Sequence, residues 1–346
     1  MKQALRVGMV GLGGFGKHRR ETMRQAGYFD LVACCDRAPE VLEEVSRAEG
    51  ATPYDDFDAM LAHDGLEAVV ISTGADTHAP FALRAMAAGL HVFIEKPVCT
   101  CVEEGEKLRE AERRTGCIIG IGHTAIEGDA LARAYQPLAQ QGAFGTVVCY
   151  EENSSHSGGL MIRPGDWRGA ADRNPGGMLF QCGVHALHRL VQLFGPIQSV
   201  QAMMRYDAHP ATETADVANV LIRHENGMLG TLNCYHITGY VHEARVFGTI
   251  GNLYVETMGA GAWFQHRQRG EPEPREPIAL PEAPPEAPYL NVLNWYRAIR
   301  EGGSARPSLE DGLQALFPVF AAERAAVERR EVALSELIPP APARSA

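Results

Sequence analysis

A run of apolar residues, Leu5–Val10, enters directly into Gly11-Leu12-Gly13-Gly14-Phe15-Gly16, and a polar segment that can be helical follows. This passage from strand to helix, with glycines at 11, 13 and 16, constrains the fold more than any other feature of the chain. Gly11 permits a tight turn, Gly13 lets the backbone approach a pyrophosphate, and Gly16 lets the helix pack on the strand; the helix start supplies free N–H groups and a positive dipole end. A second apolar run, 31–35, ends in Asp36, not far from the roughly 20 residues beyond the first glycine at which a ribose-binding acid is expected. A glycine-rich turn alone would carry little weight. With a strand before it, a helix after it and the acid in place, it predicts dinucleotide binding through Gly11, Gly13, Gly14, Phe15, Gly16 and Asp36. Asp36 should accept from the ribose hydroxyls and repel a 2′-phosphate, which favours NAD over NADP. Arg37 either stacks on adenine and partly offsets Asp36, or is a solvated surface charge.

The same alternation continues to residue 123. Apolar runs lie within 67–73, 91–97 and 117–123, separated by helical segments near 39–49, 78–89 and 101–116. Continuous apolar strands between helices predict a doubly wound parallel sheet, a Rossmann domain spanning 1–123. The pattern then changes. A helix within 129–142, a strand within 145–156, a Gly/Pro/Asp/Arg-rich loop over 157–177 and a further helix precede strands with no helices between them: 197–206, a hairpin around Glu225-Asn226-Gly227, 243–256 and 262–267. Consecutive strands joined at Asn-Gly predict a second α/β domain, 124–338, with a large open, mainly antiparallel sheet. Residues 270–288 are rich in Pro and Glu and should form an exposed connection. Two helices within 289–330 close the chain and are free to pack back on the first domain; the tail 339–346 should be disordered.

With 346 residues, two domains are expected, and the net charge of −11 argues against general affinity for nucleic acid or anionic membrane. The eight cysteines are scattered without C-x-x-C pairs, there is no signal-peptide pattern, and no stretch reaches the ~20 apolar residues of a membrane helix. A cytoplasmic protein with reduced thiols is expected.

Gly176 to His188, "GGMLFQCGVHALH", carries Gln181, His185 and His188 at i, i+4 and i+7, one face of a helix. Such a stripe serves as core residues satisfied by neighbours, as metal ligands or as proton-handling groups. A metal held by His185 and His188 would need a third ligand from His156, His123 or Cys182; none is assured, and no metal is expected.

Glu95-Lys96-Pro97, preceded by "STGADTHAPFALRAMAAGLHV", resembles the Gfo/Idh/MocA family of glucose–fructose oxidoreductases, inositol dehydrogenases and related sugar dehydrogenases. The family pattern reads T-P-N-x-x-H, then A-G-K-H-V, then E-K-P. This chain has Thr73-Gly74-Ala75 in place of T-P-N, retains His78, and has Ala88-Gly89-Leu90-His91-Val92. The resemblance extends over nearly the whole chain, through "DWRG" at 166–169, the Gly-Gly helix and the C-terminal helix pair.

It implies an NAD(P)-dependent oxidoreductase acting on the CH–OH of a sugar, sugar alcohol or glycoside, with NAD preferred. Thr73, Gly74, His78, Glu95, Lys96 and Arg37 would join the glycine loop around the cofactor. Lys96 would sit where the nicotinamide meets the substrate hydroxyl and relay a proton. In the family's second-domain motif, G-G-G-x-x-x-D-x-G-x-H-x-x-D, the first Asp corresponds to Gln181, the His to His185 and the last Asp to His188. His185 would take the hydroxyl proton; Gln181 cannot ionise but can hydrogen-bond the hydroxyl in both senses. His123, His156, Trp167 and Arg168 would join Gln181, His185 and His188 at the carbohydrate, with Trp167 either a stacking platform or an aromatic that buries its own loop.

Two rivals follow. One is glycoside cleavage by transient oxidation, elimination and reduction; the other is a non-catalytic dinucleotide-binding sensor. The resemblance further implies a homodimer or homotetramer formed through the second-domain sheet; from the charge balance no nucleic-acid or membrane partner is expected.

Overall fold

The computed structural model describes residues 3–259, 261–267 and 273–337; the tail 339–346 lies outside them. The chain divides into two compact units, residues 1–125 with 284–313, and residues 126–283 with 314–346.

In the first unit, β1 (Leu5–Val10), α1 (Gly14–Ala26), β2 (Phe29–Cys35), α2 (Pro39–Glu49), β3 (Thr52–Tyr54), α3 (Phe57–Leu61), β4 (Ala68–Ile71), α4 (Ala75–Ala87), β5 (His91–Ile94), α5 (Val102–Thr115) and β6 (Ile119–Ile121) follow one another. All strands are parallel, in the order β3-β2-β1-β4-β5-β6. The four residues of β4 are all buried, as a strand covered on both faces requires. The strand order reverses between β1 and β4, so the glycine loop after β1 and Thr73 after β4 flank the switch point of the sheet.

Helix Leu290–Glu301 belongs to this unit. Its Trp295 has no exposed surface, meets Phe93 edge-on at 5.5 Å and donates its indole N–H to the Ile118 carbonyl at 3.3 Å. A Cβ on Gly120 would come within 2.8 Å of that indole, so glycine is what lets the helix seat there. Helix Leu309–Glu328, in contrast, has most of its length, from Gln314 onward, in the second unit.

The second unit holds α6 (Ala130–Gln140), β7 (Val147–Ser155), α7 (Val184–Phe194), β8 (Ile197–Arg205), β9 (Val217–His224), β10 (Leu229–Tyr235), β11 (Val241–Gly248), β12 (Gly251–Glu256), β13 (Ala262–His266), β14 (Glu276–Pro277) and β15 (Val332–Ala333). They form one sheet, ordered β14-β13-β12-β11-β7-β10-β9-β8-β15. Every pairing is antiparallel except β7 with β10, which is parallel. The Asn-Gly hairpin joins β9 to β10, whereas the run 243–256 is two strands folded back at residues 249–250.

One face of the sheet is buried through Tyr150, Val220, Ile222, Leu232, Ala244 and Val246. Tyr150 stacks on Phe194 of α7 at 4.9 Å. Arg189 of α7 bonds both Glu152 on β7 (2.9 Å) and Asp129, the N-cap of α6 (2.8 Å), inside this layer. Burying the charge of Arg189 is tolerable because two carboxylates meet it. Among the described residues, no helix is long and apolar enough to cross a membrane.

Candidate active site

The glycine loop carries out a division of labour. Gly11 has φ +81°, and a Cβ there would come within 2.7 Å of the Ser72 backbone; a Cβ on Gly16 would come within 2.1 Å of the Gly11 carbonyl oxygen. Gly13 and Gly14 face no atom within 4 Å of such a Cβ. The loop is therefore closed against β4 and α1 but open above Gly13 and Gly14, a space of the kind a phosphate group fits. Gly13 is the N-cap of α1, and no side chain bonds the first turn of that helix as a cap. Phe15 and Arg37 are exposed. Asp36 accepts from Leu12 N–H through Oδ2 (2.7 Å) and from Ala38 N–H through Oδ1 (2.9 Å), so the acid latches the loop.

At the ends of β4 and β5, two buried contacts hold the strand-end backbone. His78, 1% exposed, lies between two carbonyls: Nδ1 is 2.6 Å from Pro97 O and Nε2 is 3.1 Å from Thr73 O. A neutral ring donates to only one of them. Burial lowers the His78 pKa, and the two carbonyl contacts oppose that shift. Gly74 is the N-cap of α4, and Thr73 accepts from the Thr77 hydroxyl at 2.6 Å.

Glu95 is 3% exposed. Its Oε1 accepts from Arg19 of α1 at 2.6 Å, and Arg19 also reaches Asn291 at 3.2 Å. Asn291 donates in turn to the His123 carbonyl at 2.9 Å. Lys96, half-buried, sits between these two anchored neighbours, Glu95 and Pro97. Glu95 is the buried partner of Arg19, and His123 has no exposed surface.

In the second unit, Gly176 (φ +74°) and Gly177 (φ +56°) turn the chain into the helix. A Cβ on Gly177 would lie 2.3 Å from the Ala215 carbonyl oxygen. The Gly176 N–H donates to Glu323 at 2.6 Å. Residues Leu179–Gly183 form a π turn that runs into α7. Gln181, Cys182 and His185 remain partly exposed, while His188 is buried. The extra residue of the π turn breaks the even α-helical spacing, so His188 turns into the core instead of sharing an open face with Gln181.

Trp167 is partly exposed with the Arg168 guanidinium over its ring at 4.5 Å, on a short turn whose first N–H groups Asp166 caps. His156 follows β7, with Nε2 3.1 Å from Cys182 Sγ. Around it stand His236 (ring centroids 5.8 Å), Tyr240 (5.7 Å) and His242 (6.4 Å). Burial first, then the neighbouring His156, pushes His236 down to about 4. Among the described residues, no three His, Cys, Asp or Glu side chains gather as a metal site.

Residues 5–123 match the family described as oxidoreductase family, NAD-binding Rossmann fold, and residues 132–254 match the GFO/IDH/MocA C-terminal domain. The chain belongs to the Gfo/Idh/MocA family. It is 26% identical to D-apiose dehydrogenase of Paraburkholderia graminis, over 97% of this chain and 91% of that one. It is also 26% identical to scyllo-inositol 2-dehydrogenase (NAD(+)) of Bacillus subtilis, over 75% of each. Levoglucosan dehydrogenase, solved in complex with NADH, superposes with a TM-score of 0.85 at 18% identity, covering 96% of this chain and 99% of that one.

As a Gfo/Idh/MocA protein, the chain carries an NAD-binding Rossmann unit. The motif residues were legible in the sequence; their supports were not. Arg19, Asn291, Glu323, His236, Tyr240 and His242 lie far in sequence from the residues they touch, and only the buried charge of Arg19 inside a helix next to the glycine loop could have hinted at a partner.

Proposed function

We propose that this chain is an NAD-dependent dehydrogenase of a sugar, sugar alcohol or glycoside, in which Lys96 and His185 handle the hydroxyl proton and Gln181 positions the hydroxyl. The observation that carries the reading is the bracing of Lys96. Its neighbours Glu95 and Pro97 are tied to Arg19 and His78 inside the first unit, while the lysine itself stays partly open. A catalytic group held on a fixed backbone needs such support. NAD, when bound, supplies the hydride acceptor.

Gly13 and Gly14 leave room for the pyrophosphate, and Asp36 offers its remaining lone pairs to the ribose. As the substrate C–H is lost, the O–H proton must go to a base. His185, partly exposed and one turn beyond Gln181, is suited to take it near neutral pH, with Lys96 relaying. The relatives that act on D-apiose and scyllo-inositol support a polyhydroxylated substrate.

Gln181, standing where the family motif has an acid, favours a second reading, redox-neutral glycoside cleavage. One purified sample separates the two. NADH absorbance should rise with a member of a panel of sugars, inositols and sugar acids, and fall by about 10²-fold or more in Lys96→Ala and in His185→Ala. Retained NAD with no NADH, but release of an aglycone from an aryl glycoside, would replace this proposal with the cleavage reading. Failure of both assays with every cellular role kept by Lys96→Ala would point to a sensor.

A further inference from the structure

His156 and Cys182 lie 26 residues apart in sequence, and the end of β7 brings the imidazole Nε2 to 3.1 Å from the sulfur. The backbone N–H of Gly158 donates to the other ring nitrogen, Nδ1, at 2.8 Å. Nδ1 must therefore carry a lone pair. A neutral ring with an accepting Nδ1 has its proton on Nε2, and that proton points at the sulfur. Protonating the ring would set a second N–H against that of Gly158. The sulfur is left as the acceptor, and a thiolate accepts such a bond far better than a thiol.

Cys182 lies in the π turn Leu179–Gly183, which runs into the helix ending at Phe194. The neighbouring thiol, Cys234, is fully buried and pushed up by that burial, so it stays protonated. His236, 2% exposed, presents its ring edge-on to His156, and its Nδ1 has no hydrogen-bond partner among the described residues.

We propose that Cys182 is a modification site, a thiolate poised by the His156 Nε2–H for small soft electrophiles. With iodoacetamide the sulfur lone pair attacks the methylene carbon, the S–C bond forms as the C–I bond breaks, and iodide leaves with the bonding pair. The thiol proton goes to solvent. The inference concerns the second unit alone and does not depend on the dehydrogenase reading.

The chain contains its own controls. Cys101 and Cys149 are partly exposed like Cys182, and burial pushes both of their thiols up, while Cys34, Cys35, Cys99, Cys117 and Cys234 are buried. The full-length protein would be treated with iodoacetamide at pH 7, quenched at intervals and mapped by peptide mass spectrometry. Cys182 should be carbamidomethylated at least about tenfold faster than Cys101 and Cys149, the factor that one pKa unit gives in thiolate fraction. In His156→Phe, which keeps a ring and removes the N–H, the Cys182 rate should fall to that of the two controls. Equal rates at the three cysteines of the native protein overturn the proposal without recourse to any variant. A fast Cys182 that His156→Phe leaves unchanged overturns the assignment to His156.

Discussion

Asp36 uses one bond of each carboxylate oxygen inside the protein, to Leu12 N–H and Ala38 N–H. Its charge therefore shapes the glycine loop, and in the proposed reading its remaining lone pairs serve the ribose. Asp36→Ala removes an ionised acceptor from a backbone N–H and from the cofactor, and hydrogen bonds to charged groups contribute about 1.5–3 kcal/mol each. NAD affinity should fall about tenfold or more, and the preference for NAD over NADP should narrow, both read by calorimetric titration. An unchanged NAD-to-NADP ratio would remove Asp36 from the discriminating role. At this scale the sequence was most legible where the constraint is local. The tight approaches at Gly11 and Gly16 follow from the spacing of three glycines, because a glycine's constraint is set by its own backbone. The burial of Glu95 against Arg19 was not legible, because Arg19 stands 76 residues away and nothing in the Glu-Lys-Pro motif distinguishes a surface acid from one half of a buried pair.

The Gly-Gly helix shows the same limit one level up. Gly176 and Gly177 could be read as a helix start, but not the reason both are glycine. Each adopts positive φ, and Gly177 also abuts the Ala215 carbonyl. Gly177→Ala should therefore destabilise the protein by about 1–3 kcal/mol, the range for a strained left-handed residue, with the contact at Ala215 adding to it. Thermal melting would show a lowered Tm, whereas an unchanged Tm would mean that the loop relaxes freely. The π turn at Leu179–Gly183 was invisible, since its residues fit an α-helical stripe equally well. Short elements escaped for a different reason: β3 has three residues and α3 five, too few to show a period. The run 243–256 read as one strand because Thr249-Ile250 lacks the Asn-Gly signature that marked the β9–β10 hairpin. The parallel pairing of β7 with β10 depends on the order of strands in the sheet, which no local pattern encodes.

For the whole molecule, the second-domain sheet leaves its outer face open, with Met203, Leu221 and Leu229 exposed on β8, β9 and β10. We predict that copies associate through this face; Leu221→Glu combined with Met203→Glu should shift the mass read by light scattering after gel filtration to that of one chain, and a double variant of unaltered mass would place the contact elsewhere. Histidines whose pKa burial lowers set a second property of the entire fold. His78, His91, His224, His236 and His242 all have pKa values lowered, with burial the first cause in each, and His236 reaches about 4. Folded, each takes up its proton at lower pH than in the unfolded chain, where it does so near pH 6.5. The unfolded state thus binds more protons over this interval, so stability is present above pH 6.5 and is lost as pH falls toward the folded values. Glu112, Glu152 and Glu323, raised by burial, act in the opposite sense because the folded form takes their protons first. Between pH 7.5 and pH 5 the unfolded chain takes up its histidine protons, near 6.5, and His236, lowered to about 4, leads the balance. The urea midpoint should fall between pH 7.5 and pH 5 while the m-value holds steady, and a midpoint that is flat or rises over that interval would mean that these rings become protonated within the folded protein.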